Sequence, residues 1–302
     1  MATQTTTQFR AYMRTRFYAT KRFQQGLWLS FVTLVVALGS AIMLFPLVWM
    51  ISTSLKQPGD ILLLPPRWVP VPPNWSNYPE ALSFMRAALV YKNTLTVTVL
   101  SVIGDVVSAA VVAFGFARLR APGKNFLFLL VLSTLMIPYH VRLIPEYLLF
   151  AGKVIPQIKW VNTFLPLIVP TYFGSAFYIF LLRQFYQTVP LEMDDAATID
   201  GASYPQILWR IMIPLSRPAL GTIAIMSFVA HWNDFFRPLI YLSNRDIFTV
   251  AIALRSFTAE YGATPWHLLM AASVTALLPI LLLFFVAQRY FVQGVVFTGL
   301  KG

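Results

Sequence analysis

The chain has 302 residues, 58% of them hydrophobic and only 11% charged, with a formal net charge of +12 and no cysteine. Soluble domains carry about 25% charged residues, so this chain cannot solvate a globular surface and reads as a bundle of membrane helices with lipid as its solvent. Its basic residues are scattered through short loops, not gathered along a groove, which excludes a nucleic-acid binder; the lack of cysteine excludes disulfides, thiol catalysis and cysteine metal sites.

A membrane helix needs about 20 mostly apolar residues. The first such run is 27–52, from Leu27 to Ser52. A basic, acid-free segment, 1–26, precedes it with Arg10, Arg14, Arg16, Lys21 and Arg22. The apolar run exceeds the roughly 7–15 residues of a signal-peptide core, so it reads as a retained span with a cytoplasmic N-terminal segment. Residues 53–92 contain the proline-rich "LPPRWVPVPPNW", an extended external loop, followed by an amphipathic helix over 78–91. The second span is 93–117 and contains Asp105. The short basic turn "ARLRAPGK" follows, with Arg118, Arg120 and Lys124, and is read as cytoplasmic. The third span, 126–148, is broken or kinked near Pro138 and Pro145; the fourth is 163–182. A polar segment, 183–217, leads to a fifth span at 218–241 and a sixth at 267–288. Six spans put both termini in the cytoplasm, and residues 27–302 form one transmembrane domain.

The polar segment holds "DDAATIDGAS", residues 194–203. Pro190 suits the first turn of a helix, whose dipole favours Glu192, Asp194 and Asp195 near its N-terminus. Gly201 is a left-handed stop. Ser203-Tyr204-Pro205-Gln206 reads as a capping box that opens a second helix ending before Pro214. Ser216 and Arg217-Pro218 then signal the start of the fifth span. Periodicity leaves two readings open: a helix pair that other proteins approach over Ala196 and Ala197, or one that rests on the membrane or plugs its own bundle.

"EMDDAATIDGASYPQILWRIMIPLSRPAL" (192–220) resembles the EAA loop of inner-membrane permease subunits of binding-protein-dependent ABC importers. The family pattern is Glu-Ala-Ala, three residues, Gly, a longer spacer, then Ile-x-Leu-Pro. Here it falls on Asp195, Ala196, Ala197 and Gly201, then on Ile211-Met212-Ile213-Pro214, so Asp195 replaces the motif glutamate and Ile213 the leucine. "PPRWVPVPPNWSNY", "KNTLTVTV", "AFGFARLRAPGK", "HWNDFFRPLIYL" and "RYFVQGVVFTGLKG" resemble, in order, further segments of the carbohydrate subgroup, that of the maltose-transporter G subunit and the glycerol-3-phosphate-transporter E subunit.

The resemblance implies an all-α, six-span permease of the type I ABC importer fold in a bacterial inner membrane. Its solute would be a sugar, an oligosaccharide or a glycerol-phosphate-like compound. The implied partners are a second homologous permease, two copies of a cytoplasmic ABC ATPase and an external solute-binding protein. No cofactor or metal is implied, and ATP hydrolysis would belong to the partner ATPase. Glu192, Asp194, Asp195, Ala196, Ala197, Asp200 and Gly201 would form the coupling helix that docks on it. "APGK" (121–124) is no nucleotide-binding loop: Arg118 stands where a Walker A glycine is needed and Asn125 where Ser or Thr is needed.

Ionisable groups inside spans are functional candidates. His231, Asp234 and Arg237 recur every three residues along one side of the fifth helix. They read either as a polar patch on the substrate path, with Trp232 as a stacking surface for a sugar and Asn233 beside it, or as a local Asp234–Arg237 pair that anchors the helix end. Asp105 serves the path or is a buried structural acid bonded to a neighbouring helix; His140 and Arg142 are weaker candidates of the same kind. The resemblance further suggests that loop 243–266 reaches the binding protein and that Gln293 and Gly294 approach the ATPase. The rival reading is an ion-coupled secondary transporter that uses Asp105 and Asp234; a permease for a non-carbohydrate solute is another.

Overall fold

The structure, a computed structural model, describes the backbone of residues 2–259 and 264–299 and the side chains of residues 24–258 and 264–288. Helices succeed one another throughout: α1 (Ala2–Ser54), α2 (Asn77–Phe84), α3 (Ala87–Arg118), α4 (Lys124–Ser133), α5 (Tyr139–Phe150), α6 (Leu165–Ile168), α7 (Ala176–Thr188), α8 (Glu192–Ile199), α9 (Tyr204–Ile207), α10 (Ile213–Leu215), α11 (Arg217–Trp232), α12 (Phe236–Tyr241), α13 (Val250–Ala259) and α14 (Trp266–Gly299). Among the described residues there is no strand, only one isolated bridge between Ala151 and Lys159. Gln24–Ser54, Ala87–Arg118, Leu165–Thr188 and Trp266–Gln288 are long and apolar enough to cross a membrane. Two bent pairs raise the count to as many as six: Lys124–Met136 with Tyr139–Phe150, bent by 98°, and Tyr204–Leu215 with Arg217–Trp232, bent by 79°.

Each break has a local cause. Ile137 precedes Pro138 and is extended at φ −86°, ψ 110°, as the clash with a proline ring demands. Pro145 lies inside α5 without ending it, so the break in this pair falls at Pro138. The expected amphipathic helix over 78–91 is shorter: α2 stops at Phe84, Arg86 takes a left-handed conformation at φ 54°, and α3 starts at Ala87. The second helix of the polar segment does not stop before Pro214. It continues through a π-helical turn, Leu208–Met212, into α10 and ends at Leu215. The widened turn shifts the hydrogen-bond register just ahead of the proline that cannot donate.

The expected fifth span, 218–241, is also interrupted. Helix α11 stops at Trp232 and α12 starts at Phe236. Asn233 Nδ2 donates to Val229 O at 3.0 Å, and the Asp234 carboxylate accepts the Arg237 N–H at 3.2 Å. The Asp234 side chain thus takes up a backbone N–H that a continuous helix would bond, and the Asn233 amide adds a second bond to the last turn of α11. His231 and Arg237 therefore lie on two different helices.

The proline-rich loop is tied to the end of α1. Trp68 packs edge-on against Trp49 at 5.1 Å, and its carbonyl accepts the Ser52 hydroxyl. Asn77, buried, donates to Ser54 O and Lys56 O at 2.8 and 2.9 Å. Lys56 is fully buried, its ammonium 4.1 Å above the Trp49 ring, and burial pulls its pKa below the ordinary lysine value.

Helix α3 sits at the centre. Ala109, Ala113 and Phe114 share a core with Ile179, Leu182 and Tyr186 of α7, Ala197 of α8, Met212 and Ile223. A second core joins α2, the start of α3, α13 and α14 through Ala81, Val90, Phe257 and Leu268. Gly104 of α3 allows the Val169–Phe173 segment to approach closely, because a Cβ there would overlap the Thr171 hydroxyl and come within 2.7 Å of the Tyr172 ring.

Candidate functional site

Two places gather the singled-out residues: the α8–α9 element and a cavity beside α3. Helix α8 carries Glu192, Asp194 and Asp195 in its first turn, where the positive end of the dipole stabilises them. It closes with two bonds, Ala202 N to Ala197 O at 2.9 Å and Gly201 N to Thr198 O at 3.0 Å. These are the 6→1 and 5→2 bonds of a Schellman motif, with Gly201 in the left-handed position at φ 82°. Ser203 then caps α9, with Gln206 Oε1 accepting its backbone N–H at 2.7 Å. Turn and capping box stand as the sequence indicated.

The side chains divide into two sets. Glu192, Asp195, Ala196, Asp200 and Gly201 are exposed. Ala197 is buried in the chain's own core, so the two alanines of the motif face opposite ways. Asp194 also turns inward. Its Oδ2 lies 2.9 Å from Arg118 Nε, with the two side chains 15% and 4% exposed. Burial holds the Asp194 carboxyl above the usual carboxylate range, Arg118 pulls it down, and neighbouring Asp195 adds to the rise. Arg118 Nη2 further donates to Val189 O at 2.7 Å. In the sequence Arg118 was only a topology signal; its burial is a new finding. Exposed Ile199, at 86%, and Tyr204 flank the acidic face.

The cavity measures ≈ 340 Å³, and its lining includes Asp105, Arg142, Thr171, Tyr178, His231 and Arg237. Asp105 Oδ2 accepts the Ser227 hydroxyl at 2.7 Å and lies 2.9 Å from His231 Nε2. The acid of α3 is thus bonded to α11 and faces the cavity at once. Arg237 pairs with Asp234 at 3.2 Å and donates to Leu167 O at 2.7 Å. Arg142 stands 3.7 Å from Glu146. Such a lining offers cationic and hydroxyl donors beside one buried acid, a set suited to a polyhydroxylated or charged solute.

Trp232 lies elsewhere. It is buried, stacked on Phe228 at 5.5 Å, and donates from Nε1 to Ala276 O at 3.2 Å. With Asn233 it lines a second cavity of ≈ 200 Å³ beside Val250, Leu254 and Ile280. The structure therefore separates His231 from Trp232 and Asn233. The Gln293 side chain, the surroundings of Gly294, and residues 260–263 of loop 243–266 lie outside what the structure describes.

Residues 106–297 match the family described as "Binding-protein-dependent transport system inner membrane component". The arabinooligosaccharides transport system permease protein AraQ of Halalkalibacterium halodurans is 32% identical, covering 91% of this chain and 96% of the relative. The sn-glycerol-3-phosphate transport system permease protein UgpE of Yersinia pestis bv. Antiqua is 29% identical, covering 88% of this chain and 95% of the relative. A crystal structure of a bacterial ABC transporter involved in the import of the acidic polysaccharide alginate has a chain that superposes with a TM-score of 0.76 at 20% identity. The match covers 86% of this chain and 94% of that one, and it establishes the shared fold.

Proposed function

The chain belongs to the family of binding-protein-dependent transport system inner membrane components, and from that membership we propose that it lines part of an import path for a sugar, an oligosaccharide or a glycerol-phosphate-like solute. Residues 1–26 form a cytoplasmic segment and 27–302 the transmembrane domain. The domain crosses the inner membrane six times, with both termini in the cytoplasm, where 13 of the 23 Lys and Arg then fall. The α8–α9 element docks on a cytoplasmic ABC ATPase through Glu192, Asp195, Ala196 and Asp200. Two ATPase copies supply the energy, a second homologous permease completes the path, and an external binding protein delivers the solute. His231 and Asp105 belong to the path; Asp234 acts through Arg237. Family membership weighs against the ion-coupled secondary transporter, which needs no ATPase-docking helix.

The observation that carries this reading is the rigid closure of α8 against α9, with an exposed acidic face flanked by Ile199 and Tyr204. It can be tested at Gly201. A Cβ there would meet nothing within 4 Å, so the main cost of a substitution is the left-handed backbone, about 1–2 kcal/mol. Gly201→Val is expected to lower ATPase co-purification and solute uptake by a factor of about 5–30. Gly201→Asn, which tolerates that conformation, is expected to lose little. A valine variant that keeps its ATPase and its uptake removes the docking assignment.

A further inference from the structure

We propose that α3 is a transmission rod, gripped at its cytoplasmic end by Arg118–Asp194 and at its middle by Asp105 with Ser227 and His231, so that Arg118 and Asp194 couple the motion of α8 to the cavity. This rests on the permease reading and assigns Asp194 a role different from docking. Arg118 is the last residue of α3, and Asp105 lies thirteen residues before it, about 20 Å along the helix.

Arg118 joins three parts of the polar segment at once. Its Nε meets the Asp194 carboxylate of α8 at 2.9 Å. Its Nη2 takes the Val189 carbonyl just ahead of α8 at 2.7 Å, and it lies 4.0 Å from Met212 Sδ in the π-helical turn. Between the two grips α3 is close-packed by Ala109, Ala113 and Phe114 against α7, α8 and Ile223. A densely packed helix transmits displacement and does not absorb it. At the upper grip the same helix presents Asp105 to the cavity and to two residues of α11. A shift of α8 that carries Arg118 therefore moves the acid lining the cavity and its two partners.

Energetics point the same way. A buried ion pair gains little net stability over well-packed apolar residues, whereas it fixes the position of both partners. Asp194 and Asp195 are adjacent acids with opposite assignments: Asp195 faces outward to a partner, and Asp194 faces inward to the rod.

The test uses the full importer, reconstituted in proteoliposomes with its ATPase, second permease and binding protein. Arg118→Gln and Asp194→Asn are each expected to keep the ATPase bound while ATP hydrolysed per solute imported rises roughly ten-fold, within the range of coupling between distant sites. The double variant is expected to match the worse single variant within about two-fold, because both remove one interaction. Arg118→Lys, which keeps the charge, is expected to recover much of the coupling. An unchanged ATP-to-solute ratio in both single variants, multiplying effects in the double variant, or loss of assembly in both single variants each overturns the proposal. A wild-type chain that binds no ATPase overturns the permease reading instead, and the two failures are thereby distinct.

Discussion

Replacing Gly104 with alanine is expected to destabilise the protein by about 1–3 kcal/mol, the cost of overpacking a close-packed contact. The Cβ would overlap the Thr171 hydroxyl and press on the Tyr172 ring. Thr171 is buried and donates to Ile168 O at 2.7 Å, while its carbonyl accepts the Ser108 hydroxyl of α3 at 3.0 Å. Ser101, on the other side of the glycine, donates to Leu167 O at 3.3 Å, so the two segments are held together before and after Gly104 and neither can retreat alone. Thermal unfolding in detergent measures the loss directly. Gly115→Ala on the same helix is the control, since its nearest neighbour there is Leu119 Cδ1 at 4.0 Å. It should be neutral or stabilising, as alanine is the better helix former. Equal melting temperatures for the two variants would refute the close approach.

Asp105→Ala should be the most damaging change at the cavity. It removes the acceptor of the buried Ser227 Oγ and the partner of the partly buried His231 Nε2. Each donor left unsatisfied costs about 1–3 kcal/mol. The expected result is a lower melting temperature together with loss of solute uptake. Asp105→Asn keeps one oxygen for Ser227 and should lose less. A double-mutant cycle with His231→Gln should give an interaction energy of about 0.5–3 kcal/mol, as for residues in one hydrogen-bond network. A cycle that sums to zero would mean that acid and histidine act independently.

What the sequence disclosed follows the range of the interactions involved. The all-α fold, the left-handed turn at Gly201 and the capping box at Ser203 were legible, because each depends on residues within a few positions. The bend at Pro138 was legible for the same reason. The interruption at 233–235 was not, since hydrophobic residues continue on both sides and the polar capping groups looked like members of one helical stripe. Arg118–Asp194 and Asp105–His231 were beyond reach as pairs. Each residue had been noticed, but only the packing of α3 against α8 and α11 brings the partners together. Trp232 shows the same limit: its place beside His231 in the chain did not disclose that the fold stacks it on Phe228 and sets it against a different cavity.

The exposure of the first helix bears on how freely sequences of this kind can drift. None of the most apolar stretch of Gln24–Ser54 is buried within the chain, whereas 56% of the corresponding stretch of α3 is. Exchanging one oily residue for another in that stretch of α1 leaves the chain's own core untouched. The same exchange in α3 lands among Gly104, Asp105 and the alanines that pack on α7. Within this chain, hydropathy limits variation in that exposed stretch of the first helix, while shape limits it in α3 and at the Phe45 and Trp49 contacts with Trp68.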